Sequence, residues 1–195
     1  MERLFKEAKV FDGDCYVADY TEKTKKCKPE ERRKVELSSE PFKDIAYFHL
    51  IKQGPGEIPY QAVNLEEYPN VIRGIENCEC VFNSLTGDGR RWLMFLETKY
   101  CQTANNIDNH RLKAYRQMSD TLGRLKDLGA VRPEERRIYF VYSVPPYSEC
   151  EPFYEFSEDQ SETLRLLEEQ GITLMGYNSM LILTRQYLRR PPQPV

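Results

Sequence analysis

The chain has 195 residues, 40% of them hydrophobic, 12% aromatic and 30% charged, with a net charge of −3. One domain of this size can bury a real core, which argues against global disorder. A mean hydropathy of −0.67, with no apolar run near the ~18 residues of a membrane span, argues against a membrane protein. The opening residues Met1-Glu2-Arg3-Leu4-Phe5-Lys6-Glu7 lack the apolar stretch of a secretory leader, so a cytoplasmic location is expected. Of the six cysteines only Cys78 and Cys80 lie close together, and the only histidines are His49 and His110. That spacing does not make a four-ligand zinc site, and reduced thiols packed as small apolar groups are expected instead.

In chain order, Ala8 to Phe11 and Cys15 to Ala18 flank Asp12-Gly13-Asp14 and read as a hairpin. Thr21 to Glu31 reads as an exposed polar loop. Val35 to Ile51 fits neither helical nor strand period, and both stay open. Gln53-Gly54-Pro55-Gly56 is a break. A short helical turn is expected over Ala62 to Tyr68, stopped by Pro69. Cys78 to Leu85 and Trp92 to Tyr100 read as strands joined through Thr86-Gly87-Asp88-Gly89 into a hairpin. Leu112, Tyr115, Met118, Leu122, Leu125 and Leu128 recur at steps of three and four and predict one apolar helix face. Asp108 or Asn109 is the expected N-cap and Gly129 the expected stop.

Ile138 to Val144 reads as a buried strand. Ser157-Glu158-Asp159-Gln160 reads as a capping box opening a helix with Leu164 and Leu167 inward. Ile172 to Met175 and Met180 to Leu183 are strand-like, and 189–195 reads as a frayed tail. The expected architecture is α/β: a central mixed sheet flanked by helices over 61–188, preceded by a β-rich N-terminal extension over 1–60.

Charge is unevenly spread. Thr21 to Lys34 holds seven Lys and Arg against three Glu, and Arg111 to Lys126 five against one Asp. Glu149 to Glu169 holds eight acids against Arg165. An acidic total therefore leaves room for a local basic groove, although each run also reads as a solvated face.

The segment Trp92-Leu93-Met94-Phe95-Leu96-Glu97-Thr98-Lys99-Tyr100 carries the chemistry. On a strand Glu97 and Lys99 point the same way, at the end of an otherwise apolar element. A carboxylate and an ammonium there must pair, reach water or serve a site. In a suitable hairpin register Glu79 lies beside Glu97, and two adjacent carboxylates repel unless a proton or metal ion separates them. Oxygen ligands of this kind suit Mg2+ or Mn2+. A plain strand-end ion pair at Glu97 and Lys99, with Glu79 on the surface, is the competing reading. His49 reads as a core or edge histidine, His110 as a capping, solvent or phosphate-contacting one, and Trp92 and Tyr100 as packing residues. The chain lacks a Gly-rich phosphate loop, a G-x-S-x-G and an H-E-x-x-H, so it gives no support to nucleotide-triphosphatase, serine-hydrolase or zincin readings.

With an acid on one strand, Glu97-Thr98-Lys99 on the next, and a helix and further strand after it, the chain resembles the PD-(D/E)xK nuclease superfamily, the restriction-endonuclease-like fold. The resemblance spans about Glu66 to Leu183. Glu79 stands where the family usually has Asp. Arg111-Leu112-Lys113-Ala114-Tyr115 is similar to the Q-L-x-x-Y stretch of the RecB-type branch, with Arg111 in place of glutamine. The resemblance implies metal-dependent phosphodiester hydrolysis on DNA. Glu79, Glu97 and the Thr98 carbonyl would hold Mg2+ or Mn2+, and Lys99 would orient or activate a water. Arg111, Lys113 and Arg116 would contact backbone phosphates, and Glu66 or Glu67 would be the additional acid. A catalytically silent module of the same fold, binding nucleic acid or a protein, is the alternative, and a homodimer is compatible with either.

Overall fold

The computed structural model describes residues 8–54, 56, 58–67, 76–85, 89–100, 107–145, 165 and 169–192. Its strands are β1 (Lys9–Phe11), β2 (Cys15–Asp19), β3 (Val35–Ser38), β4 (Phe48–Lys52), β5 (Tyr60–Asn64), β6 (Cys80–Ser84), β7 (Arg91–Thr98), β8 (Arg136–Ser143), β9 (Ile172–Met175), β10 (Ser179–Ile182) and β11 (Leu188–Arg189). The α-helices whose bounds fall among the described residues are α1 (Thr21–Thr24) and α2 (Ile107–Asp127). The strands form two mixed sheets, one ordered β1-β5-β6-β7-β8-β9 and the other β11-β10-β4-β2-β3. In the first, β7, β8 and β9 run parallel and the remaining pairs antiparallel. In the second, only β4 and β10 run parallel.

Strand alternation explains how both faces of the larger sheet are covered. Trp92, Met94 and Leu96 of β7 pack between the sheets with Phe82, Val17, Phe48 and Leu50. Leu93 and Phe95 point to the other face, against Phe140 and the α2 residues Ala114, Met118, Leu122 and Leu125. Burial on both faces is why β7 and β8 read as continuous apolar runs. Each large side chain buried this way contributes about 1.5–3 kcal/mol. The ion pairs are mostly exposed and contribute about 0–1 kcal/mol each. The two apolar clusters therefore dominate the fold's stability.

This arrangement corrects the sequence reading in several places. The central sheet is not flanked by helices on both faces: α2 covers one, and the second sheet covers the other. Phe48 and Leu50 of β4 and Cys15 and Val17 of β2 give those strands one apolar face each, which they bury on the larger sheet. The predicted N-terminal hairpin does not form. β1 pairs with β5 and β2 with β3 and β4, so Asp12 to Asp14 crosses between sheets. Asp14 fastens that crossing, accepting from the Lys52 N–H at 2.9 Å and meeting His49 Nε2 at 2.8 Å. His49 is half-buried and stacks on Tyr16 at 4.3 Å. Ala62 to Asn64 is strand, followed by a single 3-10 turn over Leu65–Glu67, where a longer helical turn was expected.

The β6–β7 hairpin and the long α2 are as predicted, with two differences in the helix. Its backbone starts at Ile107, so Asp108 and Asn109 lie inside it and not at the cap. Leu112 is 56% exposed and Leu128 48%. Leu112 lies about 120° around the helix from Met118, and Leu128 lies past the end. Gly129 stops the helix with φ +66°, its N–H donating to Lys126 O and the Ala130 N–H to Leu125 O, a Schellman closure. Most of the helix predicted from Ser157, like the turn at 86–88, lies outside the described residues; 165, 169 and 170 are helical. No helix among the described residues is long and apolar enough to cross a membrane.

Candidate functional site

β6 and β7 meet in a register that pairs Cys80 with Leu96, and one step further Glu79 lies opposite Glu97. Both share the face that α2 covers, because Val81 and Phe95, two residues away on each strand, pack there. Glu97 Oε2 accepts from the Glu79 N–H at 3.1 Å. Glu79 Oε2 accepts from the Thr98 N–H at 3.0 Å and also from the Thr98 hydroxyl. Lys99 Nζ donates to Glu97 Oε1, while the Lys99 N–H donates to Ser143 O at 2.8 Å and carries the ladder one residue beyond β7 and β8. Each carboxylate thus reaches across to the other strand's backbone.

Glu97 is fully buried, Glu79 is 7% exposed, and the Lys99 side chain is 21% exposed. Burial raises the pKa of Glu97 to about 7, against the charge of Lys99 and its hydrogen bond, which pull the other way. Burial raises Glu79 well above the usual carboxylate range, and the adjacent Glu97 charge raises it further. Burial disfavours the charged form of Lys99, but the two carboxylates outweigh it and hold Lys99 above its ordinary value. The result is a proton-sharing cluster in which one cation faces two acids.

An open cleft of about 760 Å3 lies over the cluster. Of the residues singled out in the sequence, Glu66, Glu79, Glu97, Lys99, His110 and Lys113 line it. Glu66 is half-buried and accepts from the Val35 N–H at 3.3 Å. Glu67 is exposed, takes Asn64 Nδ2 at 3.3 Å and does not line the cleft. On α2, His110, Lys113 and Gln117 face the cleft at helical spacing, whereas Arg111 and Arg116 do not line it. Lys113 pairs with Glu76 at 3.3 Å, both side chains being well exposed. Trp92 lies at the far end of β7, fully buried, with its indole N–H donating to Thr184 O at 3.1 Å.

Sequence reasoning missed the opposite wall. Asp19 at the end of β2, Thr21 in α1 and Lys25 just past α1 line the same cleft. Tyr100, read as a packing residue, fastens that wall: its hydroxyl donates to Ala46 O at 2.6 Å and accepts from the Asp19 N–H at 3.3 Å. The Asp19 charge adds to the upward pressure on both glutamates. The only signal in the sequence was the run of seven basic residues over Thr21 to Lys34. Nothing local placed that run beside the E-x-K strand.

Two buried carboxylates at a cleft floor are the hard oxygen donors that suit Mg2+ or Mn2+. Among the described residues, however, no group of three or more His, Cys, Asp and Glu side chains is arranged to hold a metal ion. Cys15, Cys78 and Cys80 are buried and free, with burial pushing their thiols up, which makes them poor ligands and nucleophiles. Comparison of the chain with protein families, with curated proteins and with solved structures gave no match.

Proposed function

We propose that this chain is a metal-dependent phosphodiesterase acting on DNA, with Glu79, Glu97 and Lys99 as its centre. One observation carries the reading. The two glutamates face each other across adjacent strands, with Lys99 on Glu97, at the floor of an accessible cleft. Glu79, Glu97 and the Thr98 carbonyl would hold Mg2+ or Mn2+, which supplies neutralisation of phosphate charge and a more acidic water. Lys99, released from Glu97 in that state, would hydrogen-bond the attacking water or the phosphoryl oxygen and stabilise charge that develops there. Lys113, on the α2 wall, would contact a flanking phosphate. Arg111 and Arg116 have weaker support, because they do not line the cleft.

The test is calorimetric titration with Mn2+ of the wild type and Glu97→Gln, followed by DNA cleavage with the same samples. Saturable binding and cleavage, both lost in the variant, support the proposal. Absence of Mn2+ binding in the wild type overturns it.

One observation favours a second reading, a catalytically silent module of the same architecture. The glutamates are already served from within: Lys99 and the Glu79 N–H occupy Glu97, and Thr98 supplies two donors to Glu79. A site satisfied by its own protein needs no ion to be stable. Mn2+ binding separates the readings, because the silent module takes up none.

A further inference from the structure

The cleft has walls of separate origin, α2 with Lys113 on one side and the β2–α1 segment with Lys25 on the other. We infer, building on the phosphodiesterase reading, that the ligand entering this cleft is a single unpaired strand of DNA and not a duplex.

Size is the first argument. A cleft of about 760 Å3 has room for roughly two nucleotides of one strand. Depth is the second. The Glu97 side chain is only 1% exposed and Glu79 only 7%, so a phosphate reaching them must descend between the walls. A duplex phosphate sits on a broad convex surface whose neighbours and opposite strand would meet the walls first. An unpaired strand can bend in, one phosphate at a time.

Charge is the third argument. Lys25 and Lys113 are half-exposed, and their acidic partners Glu22 and Glu76 are more exposed still. Exposed pairs of this kind are weak and exchange readily for a phosphate. With one lysine on each wall, a threaded strand finds a cation on both sides of the acidic floor. The floor itself repels phosphate, so the cations that draw a backbone to this cleft are those of its walls.

Fluorescence anisotropy on the full chain tests this, with Ca2+ present, a labelled single-stranded oligonucleotide, and the same strand annealed to its complement. The single strand is expected to bind more than about tenfold tighter. In Lys25→Ala/Lys113→Ala, two lost phosphate contacts should make the slope of log K against log salt shallower by about 1.4. Equal or tighter duplex binding, binding to neither, or an unchanged slope overturns the inference. Cleavage with Mn2+ is read separately. Single-strand preference without cleavage keeps the inference and removes hydrolysis, whereas cutting of a closed duplex circle keeps hydrolysis and removes the inference.

Discussion

Glu97 should make the protein less stable as pH rises, and the size of that effect follows from its burial. Its carboxyl is raised from 4.5 to about 7, so the folded protein binds that proton more tightly than the unfolded chain does. The stabilisation is therefore complete below about pH 4.5 and is lost as pH climbs to about 7. The difference corresponds to about 3 kcal/mol. Glu97→Gln keeps the shape and removes the titration. The gap in unfolding free energy between variant and wild type should then widen in the variant's favour by about 3 kcal/mol from pH 4.5 to 8, whatever its sign at the start. Urea denaturation followed by the single tryptophan reads this directly, because Trp92 is fully buried and reports global unfolding. Mn2+ bound to the ionised pair should stabilise the wild type by about 2.7 kcal/mol at pH 8 and one hundred times its dissociation constant there, and by less at pH 5. A gap that stays flat with pH would refute the argument that burial, partly offset by Lys99, sets the charge of this site.

Four other substitutions probe the same structure. Thr98→Val removes the hydroxyl that donates to Glu79 while keeping the backbone donor; a loss of about 1–3 kcal/mol is expected, larger at higher pH as Glu79 ionises, and a pH-independent loss would show packing alone to be at work. Tyr100→Phe removes both links between the β7 end and the opposite wall, about 1 kcal/mol each; amide exchange at Asp19 should accelerate while that at Leu50, inside the second sheet, stays slow. Met118→Ala should lower stability by about 2–5 kcal/mol and Leu112→Ala by less than about 0.5, as denaturation midpoints would show; comparable losses would mean that the apolar face of α2 has been drawn wrongly.

What the sequence made legible was local. The β6–β7 hairpin follows from two apolar runs around a turn, and its alternation was enough to set Glu97 and Lys99 on one face; that Glu79 lies opposite Glu97 depended on the register, which the fold supplies. The stop of α2 at Gly129 follows from one residue's freedom at φ +66°. The partners of β1 and β2 were not legible. Two short strands around Asp-Gly-Asp satisfy every local rule for a hairpin, and only the need to cover both faces of the larger sheet sends them to different sheets. Leu112 misled for a related reason. Steps of three and four drift around a helix, so a chain of such steps can leave the buried face while each link still looks regular.

The second sheet also decides what the site is. The carboxylate pair lies at the ends of two interior strands, where burial is what raises Glu97 to about 7. The end of β2 and the α1 turn with the residue after it close the side opposite α2, bringing Asp19 and Lys25, and Tyr100 ties that wall to the strand that bears Glu97 and Lys99. The N-terminal strands thus do two things at once: their apolar faces bury Trp92, Met94 and Leu96, and their ends turn an exposed ion pair into a walled acidic floor. A change that loosens the contact between the sheets should therefore register at Glu97 before it registers in the core. The carboxyl's acidity depends on water being kept out, whereas the apolar contacts tolerate small separations. Tyr100→Phe is the substitution that separates these effects, since it touches the wall and leaves both apolar clusters intact.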